Sequence, residues 1–280
     1  MDYLETRRAL VEDRLETVLD RVEPAELEDK VKQTALSGGK RVRPTITLLA
    51  CEAVGGDPED AVDFAVGIEL VHTASLVIDD IIDEADVRRG VPSAWTAFGH
   101  GGAVVASDGL LGEAFALFSP DPRAMEIVAD GMVDLGEGEA IELAAMPEDE
   151  SEYMELARRK TGALFRAAAQ LGALAGGADT ASIEAVGQYA ERVGVAFQIR
   201  DDVLDATADS EAIGKPAGQD AIMERPSLVR ITDLTTEEAN TRARAQADAA
   251  LDALGEVAIT DQTARDYLAD LAEFVVTREH

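Results

Sequence analysis

Apolar residues recur at spacings of three and four along almost the whole chain, and runs alternating with period two are nearly absent. Such a pattern buries one stripe of an α-helix, and the abundance of Ala agrees with it. Glycine and proline clusters punctuate the pattern at Gly38-Gly39, Gly55-Gly56-Asp57-Pro58, Gly90-Val91-Pro92, Pro120-Asp121-Pro122, Gly176-Gly177 and Gly214-Lys215-Pro216. Between these breaks the spacing predicts helices over 2–20, 25–36, 44–54, 58–83, 103–118, 123–145, 150–175, 180–206, 235–254 and 259–277. Pro44 and Pro58 are placed for first helical turns. No linker rich in Ser, Gly or Pro divides the chain and no short repeat appears, so residues 1–280 read as one all-α helical bundle domain.

Two of the predicted helices end in the same acidic pattern. Asp79-Asp80-Ile81-Ile82-Asp83 and Asp201-Asp202-Val203-Leu204-Asp205 both read D-D-x-x-D. Chance gives roughly 0.3 copies in a chain this acidic, so two copies are a signal. Their neighbours are apolar (Leu76, Val77, Ile78 and Ile81 at one; Phe197, Ile199, Val203 and Leu204 at the other), which is unlike a solvated charge run. On a helix, the three carboxylates of each motif project within about 100° of arc. Like charges on one half-buried face repel and lose solvation, so a cation is needed there. The donors are all carboxylate oxygens, with no His or Cys, which favours Mg²⁺ over zinc. Two such faces could clamp a diphosphate through metal.

Composition narrows the partners. The net charge is −31 and 46% of residues are hydrophobic. A basic stripe that could neutralise nucleic-acid phosphates is missing, so no nucleic acid is expected. No stretch of about 18 apolar residues is free of charge, so no membrane span is expected. The opening Met1-Asp2-Tyr3-Leu4-Glu5 has no basic-then-apolar leader, and Cys51 is the single cysteine, so the expected location is a reducing cytoplasm. An acidic chain with so few lysines fits a high-salt cytoplasm, where screening removes self-repulsion; an acidic interaction protein is the competing account.

The lysines are Lys30, Lys32, Lys40, Lys160 and Lys215. Three of them lie in Gly39-Lys40-Arg41, Lys160-Thr161-Gly162 and Gly214-Lys215-Pro216, where a compact point charge would suit phosphate. Gly38-Gly39-Lys40-Arg41-Val42-Arg43-Pro44 puts three cations on a glycine-rich turn, and Arg88-Arg89 follows the first acidic motif. For that Arg pair the bland alternative is salt bridges to Glu84 and Asp86. His72 lies two helical turns before Asp79 on the same face. Together these residues suggest two diphosphate sites: one metal-mediated at the aspartates, and one metal-free at Lys40, Arg43, His72 and Arg89.

Those blocks, GGKRVRP at 38–44, VHTASLVIDDIIDEADVRRG at 71–90, KTG at 160–162, QIRDDVLD at 198–205 and GKPAGQD at 214–220, resemble the trans-isoprenyl diphosphate synthases, or polyprenyl synthetases, in order and over nearly the whole chain. The resemblance implies an all-α fold around a deep central cavity, usually as a homodimer. It implies Mg²⁺-dependent head-to-tail condensation of isopentenyl diphosphate with an allylic diphosphate, with three Mg²⁺ per active site. By motif, Asp79, Asp80, Asp83, Asp201 and Asp202 would bind Mg²⁺, with Asp205 supporting them. Arg88, Lys160 and Lys215 would hold the allylic diphosphate, and Lys40, Arg43, His72 and Arg89 the isopentenyl diphosphate. Thr161 and Gln198 would lie beside the reacting carbon. The small residues Ala74 and Ser75 before the first motif imply a product of C20 or longer, with geranylgeranyl diphosphate favoured. The chain departs from the family pattern at Val91 and Trp95, where Lys and His are common. It also departs at Glu139 and Glu142, where Gln and Asp are common, and at Arg225, where Lys is common. Two alternatives stand beside this reading: a terpenoid enzyme that ionises the allylic substrate alone, and a non-catalytic partner subunit.

Overall fold

The computed structural model describes residues 3–207, 226–232 and 234–278. In chain order the helices are α1 (Tyr3–Leu19), α2 (Ala25–Ala35), α3 (Val42–Ala53), α4 (Pro58–Ile82), α5 (Ala94–Phe118), α6 (Pro122–Ala140), α7 (Glu150–Ala157), α8 (Ala163–Ala175), α9 (Thr180–Thr207), α10 (Leu228–Ile231), α11 (Thr236–Leu254) and α12 (Gln262–Thr277). Asp57 caps α4 through the Glu59 N–H with Pro58 in the first turn, and Thr235 and Glu238 close a capping box on α11.

Helices α3, α4, α8 and α9 pack on one another as the inner layer, with α5 laid along α4 and α11 along α9. One contiguous apolar core runs from Val11 in α1 to Val276 in α12. Close approach is built in by glycine: a Cβ at Gly172 of α8 would lie 2.0 Å from the Thr47 carbonyl of α3. The all-α expectation holds.

Three local features differ from the sequence pattern. Helix α5 begins nine residues before the predicted 103, at Ala94, and crosses Gly99 in a non-helical kink (φ 73°, ψ 165°), so the glycine run that reads as a loop is a bent helix. Two π-helical turns, Ile141–Ala145 and Arg158–Gly162, interrupt segments expected to be plain α-helix. A hairpin of two-residue strands, β1 (Val87–Arg88) and β2 (Val91–Pro92), follows the first aspartate motif. Its central residues, Arg89 and Gly90, have φ of 52° and 79°, the positive values a tight hairpin turn requires.

By length and composition alone, α4 and α5 are apolar enough to cross a membrane, unlike the expectation from sequence. Most of the apolar window in α4 is buried inside the protein, while that of α5 is one-third buried.

Candidate active site

Both aspartate motifs sit at the C-terminal ends of long helices. Asp79 and Asp80 occupy the last turn of the 25-residue α4, and Asp83 caps it. Asp201, Asp202 and Asp205 lie in the last two turns of the 28-residue α9. The helix dipole places partial negative charge there, so carboxylates are disfavoured on both counts. The consequence is visible at Asp79, whose carboxyl is pushed up to about 7 by burial and by Glu139, against the attraction of Lys160.

Protein groups hold Asp80, Asp201 and Asp202. Arg88, which the resemblance assigns to the allylic diphosphate, donates to Asp80 Oδ1 from Nε at 2.9 Å and Nη2 at 2.5 Å, with Asp80 almost fully buried. Asp202, also buried, accepts from the Tyr153 hydroxyl at 2.5 Å, from Gln198 Nε2 at 3.0 Å and from the Leu228 N–H at 3.0 Å. Asp201 accepts from the guanidinium of Arg278, which lies 3.9 Å from the centre of the Phe197 ring. Asp83 and Asp205 are half-buried. Among the described residues no three acidic, His or Cys side chains converge tightly enough to enclose a metal ion. The donor set still fits Mg²⁺, which takes one or two carboxylates and completes its shell with water and phosphate.

The π turn Arg158–Gly162 links the two motifs. Lys160 acts on Asp79 at the first, and Thr161 Oγ1 donates to Gln198 Oε1 at 2.8 Å, the residue that holds Asp202. Gly162 and Gly194 let this turn seat against α9: a Cβ on Gly194 would lie 2.9 Å from Gly162 Cα. π turns widen a helix locally and are frequent at functional sites.

The expected metal-free cluster also assembles in part. Arg89 donates to the Gly38 carbonyl and lies across Gly39, where a Cβ would meet Arg89 Nη1 at 2.8 Å. Arg43 is lowered to about 10 by burial, with Glu69 opposing and Arg89 adding to the shift, and its guanidinium is 4.6 Å from the Phe165 ring centre. His72 is held well below the usual imidazole range by burial and by Arg43, Arg89, Arg88 and Arg41, so it is neutral at pH 7. Unpaired cations this close favour an anion. Lys40 is exposed beside them. The salt bridges of Arg88 and Arg89 to Glu84 and Asp86 do not form; Arg88 takes Asp80 instead. Arg41 is an anchor: buried at φ 49°, it donates to Glu69 (2.8 Å), Glu12 (2.9 Å) and the Ala35 carbonyl (2.8 Å), fixing the glycine-rich turn on α4 and α1. Lys215 and Arg225 lie outside the described residues. At the other departures, Trp95 Nε1 donates to the Ala85 carbonyl at 2.9 Å, and Val91 is exposed in β2.

Sequence reasoning missed Tyr153 and Arg278. Each meets its aspartate across dozens of residues of chain with no local motif to announce it.

A fold of inner helices that carry acidic motifs at their negative ends defines a class of helical diphosphate-handling proteins. The polyprenyl synthetase family model matches residues 24–260, and the chain belongs to that family of isoprenyl diphosphate synthases. It is 33% identical to a geranylgeranyl pyrophosphate synthase of Geoglobus acetivorans, covering 100% of this chain and 99% of that one. Its structure superposes on a geranylgeranyl pyrophosphate synthetase of Pyrococcus horikoshii with a TM-score of 0.89, at 32% identity over 99% of this chain and 97% of that one. A polyprenyl synthase of Caulobacter crescentus, solved with calcium and isoprenyl diphosphate, gives a TM-score of 0.88 at 29% identity over 99% and 96% of the two chains.

Proposed function

We propose that this chain is a prenyltransferase that condenses isopentenyl diphosphate head-to-tail with an allylic diphosphate and yields geranylgeranyl diphosphate. The single observation that carries the reading is the pairing of two acidic motifs at helix C-termini with a separate cluster of unpaired cations. A chemistry with one diphosphate needs only the first of these. In this reading Asp79, Asp80, Asp83, Asp201 and Asp202, supported by Asp205, would hold three Mg²⁺ for the allylic diphosphate. When bound, Mg²⁺ supplies positive charge to the diphosphate as it leaves.

The chain's own residues do the rest. Lys160 and Arg88, with Lys215, hold the allylic diphosphate oxygens, so its C1–O bond breaks toward positive charge. Arg43, Arg89, Lys40 and His72 anchor isopentenyl diphosphate, whose double bond attacks the allylic C1. One proton then leaves the new chain for the departing diphosphate. Thr161 and Gln198 flank the reacting carbon and keep each other oriented. The apolar helical core excludes water, which would quench the cation. Ala74 is small and buried one turn before the first motif. The supports for C20 are this small residue and the similarity to geranylgeranyl synthases. In this reading the protein works in the cytoplasm, and its assembly is a homodimer, supported by the exposed Val104 and Val105 in the stretch 94–107 of α5, which has no Asp, Glu, Lys or Arg.

Calorimetry separates the two sites. Isopentenyl diphosphate should bind in EDTA and lose affinity in Arg89→Ala, whereas a non-ionisable allylic thiolodiphosphate should need Mg²⁺. Isopentenyl diphosphate that binds only with Mg²⁺ would sink the assignment.

A further inference from the structure

Arg41 and Glu69 take no part in the steps above, yet both border the metal-free cluster. Arg41 is two residues before Arg43, and Glu69 lies one helical turn before His72 on the same face of α4. Their side chains are almost fully enclosed, with exposures of 1% and 3%, and Arg41 Nη1 donates to Glu69 Oε1 at 2.8 Å. The other nitrogens of Arg41 donate to Glu12 and to the carbonyl of Ala35, the last residue of α2. Burial works against the Arg41 guanidinium, and Glu12 and Glu69 outweigh it, holding its pKa above the ordinary arginine value. Arg8, one turn from Glu12 on α1, approaches it at 4.0 Å. Arg8, Glu12, Arg41 and Glu69 thus form a chain of alternating sign with no net charge.

Glu69 is close enough to act on the anion site as well. Its charge works to raise both Arg43 and Arg89, which burial holds below the ordinary arginine value. Neither of those guanidiniums makes a salt bridge among the described residues. Arg43 lies on the Phe165 ring with Nε buried and unbonded, and Arg89 donates to the Gly38 carbonyl.

We propose that Arg41 is a positioning residue for the condensation: by holding Glu69 it keeps that carboxylate from pairing with Arg43 and Arg89, which stay free for the diphosphate of the isopentenyl substrate. The inference rests on the assignment of Lys40, Arg43, His72 and Arg89 to that substrate. Without the Arg41 guanidinium, Glu69 is a lone buried charge, and the cost of leaving it so drives it onto the cations beside it. An incoming diphosphate must then displace a carboxylate already seated there, and affinity falls. Because Arg41 acts through Glu69, removing both should restore what removing Arg41 loses. A residue that merely braced the glycine-rich turn would behave otherwise, since deleting its partner cannot rebuild the turn.

The test is calorimetric titration of isopentenyl diphosphate in EDTA at one fixed KCl concentration. Arg41→Met should weaken binding by at least about tenfold. Glu69→Gln should bind at least as tightly as wild type, and Arg41→Met/Glu69→Gln should return to within about threefold of it. Binding of an allylic thiolodiphosphate with Mg²⁺ should stay unchanged in all three. A folded Arg41→Met protein with wild-type affinity overturns the proposal. So does a double variant that stays as weak as Arg41→Met, or a parallel loss at the allylic site. Should Arg41→Met fail to fold, Glu69→Gln decides alone: binding weaker than wild type overturns the proposal. Wild type that shows no binding in EDTA would instead overturn the assignment of the metal-free site.

Discussion

Replacing Asp79 by Asn should make the metal-free protein more stable while removing its response to Mg²⁺. Burial and Glu139 move the Asp79 carboxyl from 3.8 to about 7. In the unfolded chain the group ionises near pH 4, so between about pH 4 and 7 the native state binds more protons than the unfolded state. Stability therefore falls as pH rises through that window, and the full cost is present above pH 7. At ~1.4 kcal/mol per tenfold change in proton affinity, the gap corresponds to at most ~4 kcal/mol. An amide removes the charge but keeps part of the polar burial cost, so a net gain of ~2 kcal/mol at pH 8.5 is expected. For a chain of this size that is a rise in Tm of about 4–8 °C. The assay is thermal unfolding of both proteins in EDTA at pH 5 and pH 8.5, repeated with Mg²⁺. The advantage of Asp79→Asn should shrink toward nothing at pH 5. Mg²⁺ should raise the Tm of wild type far more than that of the variant, since a ligand bound to the native state stabilises it. A variant no more stable than wild type at pH 8.5 in EDTA would refute the claim that this carboxylate is held at a cost.

Four further outcomes follow from particular contacts. Gly39→Ala should displace Arg89, because the added Cβ falls 2.8 Å from its Nη1 at φ 130°; KM for isopentenyl diphosphate should rise about tenfold, with KM for the allylic substrate unchanged. Tyr153→Phe removes the 2.5 Å hydrogen bond to buried Asp202 and should cost ~1–3 kcal/mol in a urea melt, and an unchanged midpoint would count against it. Ala74→Phe should fill the space for chain growth and move the product from C20 to C15; an unchanged product length would place the floor elsewhere. With a net charge of −31, Tm should rise continuously with KCl over the molar range, and a flat profile would reject the high-salt reading.

The helices were legible because their apolar stripes and their stop signals agree. Pro58 reads as a first-turn residue in sequence, and in the structure it follows the Asp57 cap of α4. The start of α5 was not legible, since Gly99, Gly101 and Gly102 carry the composition of a loop while the packed apolar residues on either side keep a bent helix going. The two π turns leave no signal in the apolar spacing; the one at 158–162 packs against α6 and α9, which lie far from it in sequence or across a break. At the site, the aspartate motifs announced themselves through spacing alone. The sequence reading put Lys40 and Arg43, but not Arg41, in the metal-free cluster; the structure turns Arg41 inward to Glu69 and stacks Arg43 on the Phe165 ring. The partners of the aspartates were out of reach of sequence, because Tyr153 and Arg278 arrive from α7 and from the end of α12.

The most direct test of the central claim is product analysis. Purified protein in high KCl with Mg²⁺ would receive labelled isopentenyl diphosphate and, in turn, dimethylallyl, geranyl or farnesyl diphosphate. Condensation with every primer that ends at C20 is the predicted result. Folded protein that binds both diphosphates with Mg²⁺ yet forms no product from any primer would contradict the account and leave the chain as a partner of a catalytic homologue.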